Sequence, residues 1–259
     1  MGDKPFFSII TVVRNGENLI GRCLNSVLQQ KFQDFEFLLI DGQSTDGTLD
    51  VIASYDDDRI KLTSEADKGI YDAMNKAIAI ARGRWVYFLG HDDYLFDDSV
   101  LQDIFDEVTS KPLDLIYGVV KWGDTDSTFG KEVTLEDLKH SFICHQALFV
   151  RKELFAQVGH FDLKYRFNAD AHFIIRCFHL SQLKKQFIPR IIAYYATDGA
   201  SSLNVDASFV RDKYSFFERL SLLEKIKRTY FMFKPSWFKP SRIFKRKVKA
   251  LKSPPKHTT

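Results

Sequence analysis

The sequence predicts an α/β protein in which a mostly parallel sheet is flanked by helices. Short apolar runs rich in aromatic and β-branched residues alternate with stretches whose apolar residues recur at helical spacing. This alternation is typical of parallel strands joined by right-handed helical crossovers. The runs are almost wholly apolar, as expected when helices cover both faces of the sheet.

The predicted elements continue to about residue 218. Strands are predicted over residues 6–13, 35–40, 60–63, 85–89, 113–120, 144–150 and 187–195. The first helix is predicted to begin near residue 17, and the second is predicted to end at residue 52. Further helices are predicted over residues 70–81, 101–108, 135–140, 151–158 and 167–180, and a last one begins near residue 206. The regular alternation of strands and helices ends after Trp122, which divides the region into residues 1–122 and 123–218.

Local signals support the first elements. Asn15 can cap the first helix, whose buried face would contain Ile20, Leu24 and Val27. The second strand ends in the segment 41–48, which is dense in turn-forming and helix-capping residues. That segment therefore predicts a tight turn followed by a short helix.

The stretch from Glu65 to Asp93 predicts a loop, a helix, a turn and a strand. Asp67 would complement the dipole at the start of the helix, and Gly83 would end it. The helix would bury one apolar face, made of Ile70, Ala73, Met74, Ala77, Ile78 and Ala81. The strand that follows ends abruptly in four residues: Gly90, His91, Asp92 and Asp93. Ligands of open α/β sheets bind beyond the carboxyl ends of the strands, so these acids are well placed for chemistry.

Composition limits the class of protein. A chain of 259 residues can form one sizeable core, and no apolar run approaches the roughly 18–20 residues needed to span a bilayer. The apolar segment 6–13 is too short for a signal peptide and is followed directly by Arg14. The three cysteines are widely separated, which favours reduced thiols in a cytosolic protein over a disulfide framework.

Charge separates the last 41 residues from the rest. Residues 1–218 contain 24 Lys and Arg against 33 Asp and Glu, a net charge of −9, whereas residues 219–259 contain 13 against 1, a net charge of +12. Aromatic and aliphatic side chains are interleaved with this basic tail, which is typical of an amphipathic segment that attaches to an anionic membrane surface. No nucleic-acid recognition motif accompanies the basic residues, so no nucleic-acid partner is expected.

Three carboxylate sites follow predicted strands or begin predicted helices: Asp41, the pair Asp92 and Asp93, and Asp170. Each has a structural interpretation, because an acid can cap a turn or favour a helix N-terminus. Their joint position at one edge of the sheet favours a functional interpretation.

Several motifs, taken in their order and spacing, resemble one enzyme family. They are SIITVVRNGE, IDGQSTDGT, DKGIYDAMNKAIAIARGRWVYFLGHDD, CHQALFVRKELFAQVGHFD, FNADAHFIIR and the DGASS loop. The sequence from residue 6 to about 203 resembles the inverting glycosyltransferases of family 2, which have the GT-A fold. It is most similar to the subgroup that builds bacterial surface polysaccharides. The resemblance implies a nucleotide-binding half, residues 1–122, an acceptor-binding half, residues 123–218, and a tail, residues 219–259.

The resemblance also implies roles for individual residues. Thr11, Val13, Asp41 and Lys68 would bind the nucleotide-sugar donor. Asp92 would bind the donor through Mn²⁺ or Mg²⁺, hard cations that share oxygen ligands with substrate phosphates. Asp170 would be the general base that removes the proton of the acceptor hydroxyl. Candidate contacts to acceptor or phosphate are His91, Asp93, His145 and Asp198.

The sequence departs from the family pattern at two acidic positions. FLGHDD has Gly90 where the family has the first acid of its metal-binding motif, and FNADAHF has Ala169 before the predicted base. The resemblance and the basic tail together imply a transferase acting on a lipid-linked glycan at the cytoplasmic face of the bacterial plasma membrane. The alternative is a non-catalytic subunit that binds nucleotide sugars there. A nucleotidyltransferase would need a glycine-rich loop after the first strand, which residues 12–16 do not supply.

Overall fold

The computed structural model describes residues 4–197 and 206–217. The predicted tail, residues 219–259, and the candidate contact Asp198 lie outside the described residues. No helix within the described ranges is long and apolar enough to cross a membrane.

The described residues form nine strands and seven α-helices. The strands are β1 (Phe7–Val13), β2 (Phe35–Asp41), β3 (Ile60–Ser64), β4 (Trp85–Phe88), β5 (Tyr94–Leu95), β6 (Leu115–Trp122), β7 (Thr128–Phe129), β8 (Leu148–Arg151) and β9 (Lys185–Tyr195). The helices are α1 (Ile20–Leu28), α2 (Thr48–Ala53), α3 (Ile70–Ile80), α4 (Val100–Ser110), α5 (Glu153–Val158), α6 (Ala169–Phe178) and α7 (Ala207–Lys213). Short 3₁₀ turns span Asp137–Lys139, His145–Ala147 and Tyr214–Phe216.

All nine strands belong to one sheet, in the order β3-β2-β1-β4-β8-β6-β9-β5, with β7 paired to β6. Parallel pairing joins β1 to β2 and β4, β2 to β3, and β6 to β9. Only β5, β7 and β8 run in the opposite direction among the described strands. The predicted α/β class and mostly parallel sheet are therefore confirmed.

The strand predicted over residues 144–150 is shorter than expected. It begins at Leu148, because His145–Ala147 form a 3₁₀ turn directly before the strand. This turn directs His145 and Gln146 toward acids on other elements, as described below. The two-residue strands β5 and β7 were not predicted, because a pair of residues carries no readable alternation.

The sheet is buried on both faces. Alternate side chains of β1 enter different apolar clusters: Ile10 and Val12 enter the cluster under α3 and α6, and Ile9 enters the one under α1 and α4. Because helices cover the faces, access from solvent is concentrated at the ends of the strands. The carboxyl ends of β1, β4, β6 and β9 all lie at the same end of the sheet.

One predicted core position is wrong. Ile70, at the start of α3, is 45% exposed, whereas its neighbour Tyr71 is buried. The helical spacing of apolar residues favoured Ile70, but the first turn of α3 directs the tyrosine inward. Its hydroxyl group reaches Asp170 there.

Candidate active site

A cleft of about 1180 Å³ opens at the carboxyl ends of the strands. Its walls come from the ends of β1, β4, β6 and β9, the first turn of α3, the 3₁₀ turn at His145, the start of α6, and α7. This is where ligands bind in open α/β sheets.

Asp170 lies in the first turn of α6 and faces this cleft. The Tyr71 hydroxyl donates a hydrogen bond to its Oδ1 at 2.7 Å. His145 Nδ1 lies 3.0 Å from Oδ2. The two partners come from elements far apart in the chain, and they hold the carboxylate while leaving its side chain 17% exposed.

The electrostatics of this group keep Asp170 ionised. Burial opposes ionisation, but the hydrogen bond and positive charge of His145, together with the hydrogen bond from Tyr71, outweigh it, so the pKa of Asp170 lies below its ordinary value. For His145, burial favours the neutral ring, but Asp170 and, more weakly, Asp93 and Asp92 raise the pKa of the imidazole. Each of the two groups therefore favours the charged form of the other.

The two acids that follow β4, Asp92 and Asp93, lie in different environments. Asp93 is only 1% exposed, and its carboxylate accepts hydrogen bonds from Ala196 N and Gln146 Nε2, both at 2.7 Å. Burial, and then the nearby charge of Asp92, raises the pKa of Asp93 to about 6. Asp93 thus ties the end of β4 to the 3₁₀ turn and to the segment after β9.

Asp92 instead lines the cleft, and no described residue forms a hydrogen bond or an ion pair with its carboxylate. Its backbone carbonyl accepts a hydrogen bond from Arg22 at 3.0 Å. The Arg22 guanidinium lies 4.5 Å from the centre of the Tyr94 ring, which stacks on Tyr194. The backbone of Asp92 is therefore held from outside the cleft, and its side chain remains available to a ligand.

Gly90 occupies the position where the family has an acid. A Cβ atom there would lie 2.8 Å from Asp92 Oδ1 and closer still to Asp93 Oδ2. Ala169, the other departure, is fully buried in the apolar cluster beside the cleft. An acid at either position would conflict with the packing of this chain.

A divalent metal fits this site only if the substrate supplies most of its ligands. The described residues contain no group of three His, Cys, Asp or Glu side chains that could hold an ion. Asp92 does present an unpaired carboxylate to the cleft. Magnesium-type ions are commonly held by one or two carboxylates together with substrate phosphates, so the donor set is compatible with a metal shared with a diphosphate.

The other residues predicted to bind the donor, together with the candidate contact His91, fall into two groups. Val13, Lys68 and His91 line the cleft, the imidazole of His91 lying directly over Gly16. Thr11 and Asp41 are fully buried and do not line the cleft. Thr11 donates a hydrogen bond to Leu89 O, and Asp41 accepts hydrogen bonds from Ser44 N and Ser64 Oγ. The donor contacts assigned to Thr11, Val13, Asp41 and Lys68, and the acceptor or phosphate contact assigned to His91, stay predictions.

Three further residues of the cleft were not predicted to belong to the site. Tyr71 was missed because it lies within an amphipathic helical pattern, and a tyrosine at a core position carries no separate signal. Arg166 and Lys213 line the cleft from the segment before α6 and from α7. These two cations are far in sequence from most other residues of the cleft, and only the tertiary fold places them beside it.

The sequence from residue 8 to 184 matches the family model described as glycosyl transferase family 2. The chain belongs to glycosyltransferase family 2. This transferase is 37% identical over 213 residues to the PGL/p-HBAD biosynthesis glycosyltransferase of Mycobacterium bovis, covering 80% of this chain and 83% of the relative. It is 23% identical to glycosyltransferase GlyG of Streptococcus pneumoniae, covering 83% and 79% of the two chains.

Solved structures share the fold of this transferase. S. aureus TarS 1–349 in complex with UDP-GlcNAc matches with a TM-score of 0.69 and 22% identity, over 85% of this chain and 69% of that one. The mannosyltransferase PcManGT from Pyrobaculum calidifontis, in complex with GDP-Man and Mn²⁺, matches with a TM-score of 0.61 and 17% identity, over 76% and 58%. A longer S. aureus TarS chain also matches, and there the match covers 36% of the TarS chain. These similarities establish the GT-A fold, as predicted.

Proposed function

We propose that this transferase moves a sugar, with inversion, from a nucleoside-diphosphate sugar to a hydroxyl group of a lipid-linked glycan during synthesis of a bacterial surface polysaccharide. The observation that carries the proposal is Asp170, an ionised carboxylate held between Tyr71 and His145 in the cleft that also contains Asp92. Inversion by a single displacement uses a base for the acceptor hydroxyl group, the role proposed for Asp170. It also uses a group that acts on the diphosphate of the donor, the role proposed for Asp92.

Asp170 would act on the acceptor. The acceptor oxygen forms its bond to the anomeric carbon as the bond from that carbon to the diphosphate breaks, and the hydroxyl proton passes to Asp170. A carboxylate suits this role because the hydroxyl becomes acidic only as the positively charged sugar centre forms. His145 and Tyr71 would position the carboxylate rather than take the proton.

Asp92 and the cations around the cleft would act on the donor. Asp92 would hold Mn²⁺ or Mg²⁺, which when bound neutralises the charge that develops on the departing diphosphate. Lys68 and Arg14 line the same cleft and add positive charge for an anionic donor. PcManGT, solved with GDP-Man and Mn²⁺, and TarS, solved with UDP-GlcNAc, support this class of donor.

Donor turnover tests the proposal. Full-length protein would be screened for binding of UDP-, GDP- and dTDP-sugars with and without Mn²⁺, and then for release of nucleoside diphosphate that depends on glycan acceptors extracted with membranes. Acceptor-dependent release is expected with one donor class. Donor binding without release under all of these conditions would instead favour a non-catalytic binding subunit.

The pH dependence of the rate is expected to move when His145 is replaced. His145 lowers the pKa of Asp170, so in the wild type Asp170 should stay ionised below the pH at which an ordinary carboxyl group is protonated. In His145→Gln the positive charge is lost while burial still raises the pKa of Asp170. The acid limb of kcat/KM should therefore shift to higher pH, measured only over the range where circular dichroism shows both proteins folded. An unshifted acid limb would contradict the role given to His145.

Attachment to the membrane is proposed for residues 219–259. Their net charge of +12 would contribute about 1 kcal/mol for each Lys or Arg close to an anionic surface. The full chain should sediment with phosphatidylglycerol vesicles at low salt, less so at high salt, and not with phosphatidylcholine vesicles. A chain ending at Lys234 should bind donor normally but lose much of this sedimentation, and equal sedimentation of the two chains would refute the proposal.

A further inference from the structure

Four aromatic side chains from separate segments form a continuous contact chain along one wall of the cleft. Tyr195 stacks on Trp122 with ring centres 4.7 Å apart, and Trp122 contacts Phe129 at 5.6 Å. Phe129 stacks on Phe142 at 4.6 Å. These residues, Tyr195, Trp122, Phe129 and Phe142, are called the aromatic strip below.

The aromatic strip lies beside the catalytic groups. Trp122 ends β6 and Tyr195 ends β9, the two parallel strands farthest from the predicted donor side of the cleft. Trp122, Tyr195 and Phe142 line the same cleft as Asp170. Phe142 is three residues before His145, the partner of the base. The aromatic strip is thus part of the wall along which a second substrate would approach Asp170.

Phe142 carries the strongest indication of a ligand. One side of its ring packs on Phe129, yet 46% of the residue remains exposed. A flat apolar surface inside a cleft whose other walls carry charged groups is suited to a ligand that is apolar on one face and polar around its edge. Hexopyranose rings have this character, because several of their C–H bonds point to one face while their hydroxyl groups point outward. The electron-rich face of an aromatic ring attracts such C–H groups.

We propose that the aromatic strip, with Phe142 as its exposed platform, binds a pyranose ring of the acceptor glycan and brings one of its hydroxyl groups to Asp170. This inference rests on the proposed function, since it names the acceptor subsite of that same cleft. A donor nucleobase could also stack on an aromatic ring. The position of the aromatic strip at β6 and β9, away from Val13 and Lys68, favours the acceptor.

Binding of simple sugars tests the aromatic strip without requiring the natural acceptor. The probes are methyl pyranosides of glucose, galactose, mannose, rhamnose and N-acetylglucosamine, observed by saturation-transfer NMR with the full chain. At least one should bind, with the strongest transfer to C–H protons of one ring face, and excess UDP or GDP should not displace it. Phe142→Ala should weaken that binding by about 3- to 10-fold, the range expected for one aromatic stacking contact.

Matched variants decide between local binding and general damage. Phe96→Ala removes a similarly exposed phenylalanine, 40% exposed, that does not line the cleft, and it should leave pyranoside binding unchanged. Phe142→Tyr should retain it. The proposal fails if no pyranoside in the panel binds, if Phe142→Ala binds as wild type does, or if Phe142→Ala weakens UDP or GDP instead. Failure of the transferase function would be seen separately, as absent release of nucleoside diphosphate.

Discussion

Replacing Asp170 with asparagine is expected to lower turnover by about 10²–10⁴-fold while leaving donor affinity unchanged, because the change removes a general base and little else. The amide has the size of the carboxylate, so its oxygen can still accept the hydrogen bond from Tyr71. It cannot take a proton from the acceptor hydroxyl. The substitution also removes the negative charge that raises the pKa of His145, so that pKa should fall.

The measurement is kcat with saturating donor and acceptor, alongside calorimetric donor binding. Asp162→Asn is the matched control, because that acid does not line the cleft and, among the described residues, its side chain accepts a hydrogen bond only from the nearby Lys164 N. The control should turn over as wild type does. A parallel collapse of donor affinity and rate in Asp170→Asn would make Asp170 a binding or structural residue.

Replacing Asp92 with asparagine is expected to abolish both metal-dependent donor binding and turnover. Of the two acids after β4, Asp93 is bonded to Gln146 and Ala196, whereas no described residue forms a hydrogen bond or ion pair with the carboxylate of Asp92. An amide oxygen is a neutral and weaker ligand for a hard divalent cation. The fold should persist, because Asp92 is held through its backbone by Arg22.

Titration of the donor with and without Mn²⁺ provides a readout that does not depend on catalysis. Wild-type affinity should rise with Mn²⁺, and that of Asp92→Asn should not. Asp93→Asn is the neighbouring comparison: the amide can keep only one of the bonds from Gln146 and Ala196, so overall affinity should fall, but the response to Mn²⁺ should remain. If Asp92→Asn kept a full response to Mn²⁺, the assignment of the metal ligand would be wrong.

Much of the architecture could be predicted because it depends on local patterns. The apolar runs and helical spacing correctly indicated the parallel strands β1 to β4 and the helices between them. The position of Asp92 and Asp170 at one end of the sheet followed from the rule that parallel strands end together. The motif resemblance added the family and the GT-A fold.

The details of the site could not be predicted because they depend on contacts between distant segments. The sequence gives no sign that Tyr71 and Asp170, 99 residues apart, share a hydrogen bond. Nor does it distinguish adjacent acids: Asp92 and Asp93 have the same chemistry, and only the packing of Gln146 and Ala196 buries one of them. The strand predicted over residues 144–150 was too long for the same reason, since the side chains of its first residues are engaged across the cleft.

The crowding around Gly90 restricts how this sequence can change over time. A single substitution of Gly90 by an acid would place the new side chain against Asp93 and Asp92. The substitution would therefore disturb the loop that follows β4. Both carboxylates would have to turn away, and Asp93 could do so only by giving up its bonds to Gln146 and Ala196. Gly90→Asp is therefore expected to destabilise this chain.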